Sequence, residues 1–113
     1  MRKMRGRFLF VIVALALATV AQAGGNAAAG QKKAATVCAA CHGPDGNKPS
    51  APDQPVLAGQ YYDYLVRALV DYQNGRRKNA IMSGMVKDLK KQDIEDLAAW
   101  FSSQPTSSLH DQR

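Results

Sequence analysis

Cysteine, histidine and aromatic residues are scarce in this chain of 113 residues. Cysteine occurs twice, at Cys38 and Cys41, and histidine twice, at His42 and His110. Two cysteines three positions apart exclude a disulfide framework of the kind that holds small secreted domains. Aromatic residues make up 7% of the chain; Trp100 is the single tryptophan, and Phe8 and Phe10 lie in an N-terminal apolar run, which leaves Phe101. A domain of this size with so few large apolar side chains buries a modest core, and a staple or a cofactor has to make up the difference. No stretch alternates apolar and polar residues for long enough to form a strand, so the expected fold is all-α. The longest apolar run, Phe8 to Val20, is thirteen residues. A membrane-spanning helix needs roughly 20.

That run follows Arg2, Lys3, Arg5 and Arg7 and precedes Ala21-Gln22-Ala23. Basic residues, an apolar stretch and an A-x-A close have the layout of a secretory signal cleaved after Ala23. Residues 1–23 are therefore expected to be a signal peptide, and residues 24–113 a single exported domain of 90 residues. The whole chain carries a net charge of +6, but the exported part keeps eleven basic against nine acidic residues, a net +2. The basic excess lies mostly in the targeting segment and gives no reason to expect a nucleic-acid partner.

Along the domain, Asn26 can cap a helix rich in alanine that runs to His42 and stops at Gly43-Pro44. Gly43 to Gly59 holds four of the five prolines and three glycines, so a long loop is expected there. Tyr61, Tyr64, Leu65, Ala68, Leu69 and Tyr72 fall at helical spacing within Gln60 to Asn74, and Asn74-Gly75 ends that helix. Arg76 to Leu89 has no clean period. A last helix is expected from about Gln92 to Ser103, with Ile94, Leu97, Ala98 and Phe101 on one face and Asp93, Glu95 and Asp96 in its first turn.

The chemistry is concentrated in Cys38-Ala39-Ala40-Cys41-His42. Residues i, i+3 and i+4 share one face of a helix, so the two thiols and the imidazole form one patch. A thioredoxin-like redox pair has no use for the adjacent histidine and expects a βαβ setting. A structural zinc needs four ligands, and the other histidine, His110, lies in the C-terminal tail. An inert thiol pair does not stay reduced in an oxidising compartment. Covalent haem attachment accounts for all three residues: the thiols add to the two vinyl groups of the porphyrin and the histidine ligates the iron. The macrocycle then also supplies the missing centre of the core.

The segments CAACHGPDGN, PVLAGQYYDYL, RKNAIMSGM and DIEDLAAWF occur here in that order. With them the chain resembles a small class I cytochrome c of bacterial periplasms, and one half of the two-haem high-potential members of that class. The resemblance covers essentially all of residues 24–113. It implies three to four helices wrapped around one covalent haem c, with the first and last helices crossing. Gly30 would then permit close approach to an aromatic of the last helix, Trp100 or Phe101.

The resemblance also implies a ligand set. His42 is one axial ligand of the iron, and the first methionine of the M-x-G-M pattern, Met82, is the other, with Met85 as the alternative. A thioether ligand raises the reduction potential, and Met85 otherwise packs against the haem edge. Pro55, in the loop before Leu57-Ala58-Gly59, corresponds to the proline whose carbonyl orients the histidine; a simple loop proline is the competing reading. Two departures from the pattern are Ala80, where proline is frequent, and Lys90, where Ser or Thr often caps the last helix. Arg76-Arg77-Lys78 is either a solvated run or part of a docking face for an acidic redox partner.

An iron closed by His42 and Met82 has no open position. The expected function is a periplasmic electron carrier, not an enzyme, passing one electron between redox protein partners such as a membrane oxidoreductase or a terminal oxidase, with no small-molecule substrate. The alternative is a ligand-binding haem sensor, or the haem subunit of an oxidoreductase, with a labile sixth ligand. Free shuttle and bound subunit share the same haem chemistry, and the sequence does not separate them.

Overall fold

The computed structural model describes residues 24–106. The expected signal peptide, its cleavage site and His110 lie outside the described residues. Within them the chain is helical and contains no strand, in the order α1 (Ala27–Val37), α2 (Ala39–His42), α3 (Tyr62–Asn74), α4 (Ala80–Val86) and α5 (Lys91–Ser102). Among the described residues no helix is long and apolar enough to cross a membrane.

Asn26 caps α1, its side chain accepting from the Ala29 N–H. The single helix expected from Asn26 to His42 breaks at Cys38, which closes α1 and opens the one-turn α2. The break is shallow: the Cys38 N–H still donates to the Ala34 carbonyl at 2.9 Å.

The main packing is between α1 and α5, with α3 laid against α5. Gly30 lies where α1 crosses α5. A Cβ there would fall on the carbonyl of Asp96 and come within 2.9 Å of Trp100 Cβ. The close approach expected toward an aromatic is thus mainly toward backbone, with Trp100 beside it; Phe101 packs elsewhere, 2.9 Å from where a Cβ on Gly46 would stand. Trp100 is tied down by its indole N–H, which donates to the Pro44 carbonyl at 3.1 Å.

Asp96 differs from the first-turn role expected for it. It is buried, and its Oδ1 accepts from the Asn26 N–H at 2.7 Å and from the Gln92 amide at 2.8 Å. Helix α5 begins one residue earlier than expected and puts Asp96 in its second turn, facing the start of α1. The first-turn carboxylate is Asp93, whose Oδ2 accepts from the Lys90 N–H at 2.9 Å. That bond serves the helix start from inside, where a Ser or Thr cap would serve it from outside.

The segment Arg76–Leu89, expected to lack regular structure, holds α4. Asn79 caps it, accepting from the Ile81 and Met82 N–H groups. Seven residues with Ser83 and Gly84 in the middle are too few to display a helical period.

The apolar core is small. Ala34, Leu65, Leu97, Ala98 and Phe101 form its buried cluster, and among the described residues only Ile94 and Leu97 are large side chains that are fully buried.

Candidate functional site

Beside that core lies a cavity of about 420 Å³. Cys38 and Cys41 line it from the α1–α2 junction, together with His42. Met82 and Met85 line it from α4, and Leu65, Leu97 and Phe101 form apolar wall. The residues singled out by sequence are therefore brought together around one hollow. Among the described residues no three of His, Cys, Asp and Glu are grouped so as to hold a metal ion directly. Burial pushes the Cys38 thiol up to about 11. The cause is desolvation by the apolar wall, which disfavours the thiolate.

The loop from Gly43 to Gly59 is irregular but tightly bonded. Gly46 takes φ +81°, and its carbonyl accepts from the N–H groups of Leu57 and Ala58. A side chain there would meet Ala58 and Phe101 at 2.9 Å, so the turn needs glycine on both counts. Gln54 pins the far side, its Oε1 accepting from the N–H groups of Ser50 and Ala51. The Ser50 N–H also donates to the Cys41 carbonyl at 2.9 Å.

This loop carries the Pro55 carbonyl to 2.9 Å from His42 Nδ1. A carbonyl only accepts, so Nδ1 is the protonated nitrogen and Nε2 keeps its lone pair. His42 is 5% exposed. The imidazole is thus held in one tautomer at the cavity wall.

Across the cavity, Met82 is half-buried, whereas Met85 is 44% exposed. Arg77 also reaches the cavity. It donates to the Tyr64 hydroxyl at 3.1 Å and lies over the Tyr72 ring at 5.0 Å, so it is not a merely solvated member of the basic run. Of the tyrosines, Tyr64 and Tyr72 line the cavity. Tyr61 is 63% exposed, and Tyr62 packs against the core cluster. The sequence pointed to Arg77 only as part of a basic run, not as a cavity residue, and did not point to Gln73. Gln73 donates to two carbonyls at the end of α4. Neither has a spacing signal: Gln73 acts on a segment read as loop, and Arg77 reaches Tyr64 and Tyr72 from such a segment.

The apolar hollow, the paired thiols on one wall and the single-tautomer histidine fit a covalently held porphyrin. The cytochrome c family matches over residues 27–105.

The chain belongs to the cytochrome c family.

In this cytochrome c domain, Cys38 and Cys41 attach haem c with its iron. The chain is 48% identical over 97 residues to cytochrome c4 of Pseudomonas aeruginosa, covering 86% of this chain and 47% of that protein. It is 46% identical over 83 residues to cytochrome c-554(548) of Halomonas halodenitrificans, covering 71% of this chain and 98% of that protein. Among solved structures it is similar to reduced cytochrome c4 from Pseudomonas stutzeri, with a TM-score of 0.68 at 47% identity, over 74% of this chain and 48% of that one. The chain spans about half the length of the cytochromes c4 that it matches.

Proposed function

We propose that this cytochrome c domain is a one-electron carrier of the bacterial periplasm, with His42 and Met82 as the axial ligands of its haem iron. The observation that carries this reading is the bond from His42 Nδ1 to the Pro55 carbonyl at 2.9 Å. It leaves Nε2 as the free donor of a buried imidazole, and hydrogen bonding at Nδ1 raises the basicity of that donor. Haem supplies the ferric–ferrous couple, and a thioether ligand favours the ferrous form.

The chain's own residues do the rest. Cys38 and Cys41 fix the group on the α1–α2 wall. Leu65, Leu97 and Phe101 keep water from it, which also disfavours net charge at the iron. Met82 is preferred to Met85 because it is the less exposed of the two and its N–H is fixed by Asn79 at 3.0 Å. With His42 and Met82 holding the iron, the group would have no place for a substrate, and the domain would pass electrons between other redox proteins, such as a membrane oxidoreductase or a terminal oxidase. Arg76 and Lys78 are exposed beside the cavity-lining Arg77 and would favour an acidic partner surface through fast, salt-sensitive encounters.

The test is an optical spectrum of the exported holoprotein, oxidised and then reduced, with carbon monoxide added to the reduced form. Sharp reduced bands with no response to carbon monoxide support the closed carrier. A clear shift with carbon monoxide overturns it in favour of a sensor or an enzyme subunit with a labile sixth ligand.

A further inference from the structure

Helix α4 brings Met82 to the cavity, and Ile81, Met85 and Val86 line the cavity beside it. Val86, at the C-terminal end of α4, is buried. Its N-terminal end is closed by its own cap, Asn79. Its C-terminal end is held from another helix. The side-chain amide of Gln73, in the last turn of α3, donates at 2.7 Å to the Val86 carbonyl and at 2.7 Å to the Leu89 carbonyl. Val86 is the last residue of α4, and its carbonyl also accepts from the Leu89 N–H at 3.1 Å. One side chain thus fills two backbone acceptors just where a helix end leaves carbonyls without partners. The same α3 carries Leu65, Leu69 and Tyr72 along the cavity wall.

We propose that Gln73 is a positioning residue for the sixth coordination position: its two hydrogen bonds fix α4 against α3 and so hold Met82 over the haem. This rests on Met82 being the axial ligand. Gln73 does not line the cavity. It acts through the backbone of α4, one turn beyond Met82. Releasing its C-terminal end lets the short helix shift as a unit, and the Met82 thioether leaves with it. The population with an open sixth position then rises. Two lost hydrogen bonds correspond to about a tenfold or greater rise in that population.

The experiment uses haem-loaded full-length protein and three substitutions. Gln73→Glu keeps the shape and replaces the donor by a carboxylate that faces two carbonyls. Gln73→Met keeps the length without a donor. Met82→Ala is the open-site reference. The readouts are the near-infrared methionine-to-ferric charge-transfer band and the extent and rate of carbon monoxide uptake by the ferrous form, with far-ultraviolet circular dichroism to follow the helices. Both Gln73 variants are expected to keep wild-type helicity and covalent haem. They should lose part of the charge-transfer band and take up carbon monoxide about tenfold faster than wild type. Wild-type behaviour of both variants overturns the inference while leaving Met82 as the ligand. A general loss of helicity in both overturns it too, since Gln73 then serves the fold as a whole. Wild-type protein that takes up carbon monoxide as fast as Met82→Ala overturns the ligand assignment itself, and this inference with it.

Discussion

Gly30 stands directly against the main-chain carbonyl of Asp96, so the crossing of α1 over α5 is a backbone-on-backbone contact. Next to it, the Asp96 carboxylate accepts from the Asn26 N–H at 2.7 Å. One residue of α5 therefore meets α1 twice, through its carbonyl and through its side chain. The junction that carries Cys38 and Cys41 is the next stretch of chain beyond this crossing.

Gly30→Ala is expected to destabilise the holoprotein by about 1–3 kcal/mol, because the added methyl has no flexible neighbour to displace. Gly84→Ala is its control. A Cβ at Gly84, inside α4, meets nothing within 4 Å. Alanine there is expected to be neutral or to stabilise by up to about 1 kcal/mol. Denaturant midpoints of the two variants check the contrast, and equal effects would contradict a crossing that requires glycine.

The start of α5 should depend on acid. The Lys90 N–H, and after it the charge of Lys33 at 3.5 Å, hold the Asp93 carboxyl below its ordinary 3.8. A lowered value in the folded state gives stability that is present above pH 3.8 and is lost as the pH falls through the folded value. Asp93→Asn is expected to be slightly less stable than wild type at neutral pH and equal to it in strong acid. Unfolding measured at both extremes checks this, and a difference independent of pH would place the effect elsewhere.

Removing either thiol, by Cys38→Ala or Cys41→Ala, should lower the yield of folded, haem-loaded protein several-fold, because the small apolar core depends on the group that fills the cavity. Haem stain and absorbance per unit of exported protein give the comparison. Full loading in both variants would sink the attachment chemistry.

The two methionines should separate cleanly. Met82→Ala is expected to lower the reduction potential and to let the ferrous form bind carbon monoxide, since the thioether favours ferrous iron and closes the site. Met85→Ala, at a residue 44% exposed, is expected to do neither. Potentiometry of the pair is sufficient, and the reverse pattern would move the ligand to Met85.

Much of this domain is legible locally. The α3 stripe from Tyr61 to Tyr72 and the α5 stripe from Ile94 to Phe101 were set by helical period, and both helices appear within two residues of their expected ends. The pair Cys38 and Cys41 with His42 was legible because its chemistry is written in adjacent side chains. The helix of Asn79 and Met82 was not, because two turns interrupted by Ser83-Gly84 carry no period and its stability comes from a cap and from Gln73 on another helix. Asp96 was misplaced for the same reason. A carboxylate near a helix start reads as a dipole partner, and only the packing of α1 makes it a buried link between helices.

What the sequence determined by itself was the all-α fold, the length of the irregular loop and the two cysteines that attach haem, since period, turn residues and a contiguous motif are all local properties of the chain. Only the tertiary structure decided that the Pro55 carbonyl meets His42, that Gly30 rests on Asp96 and that Gln73 holds the end of α4. All three contacts use backbone carbonyls, which every residue has; the first two were expected only through the family resemblance at Pro55 and Gly30, and the third was not expected. All three join segments that meet only once the helices have packed.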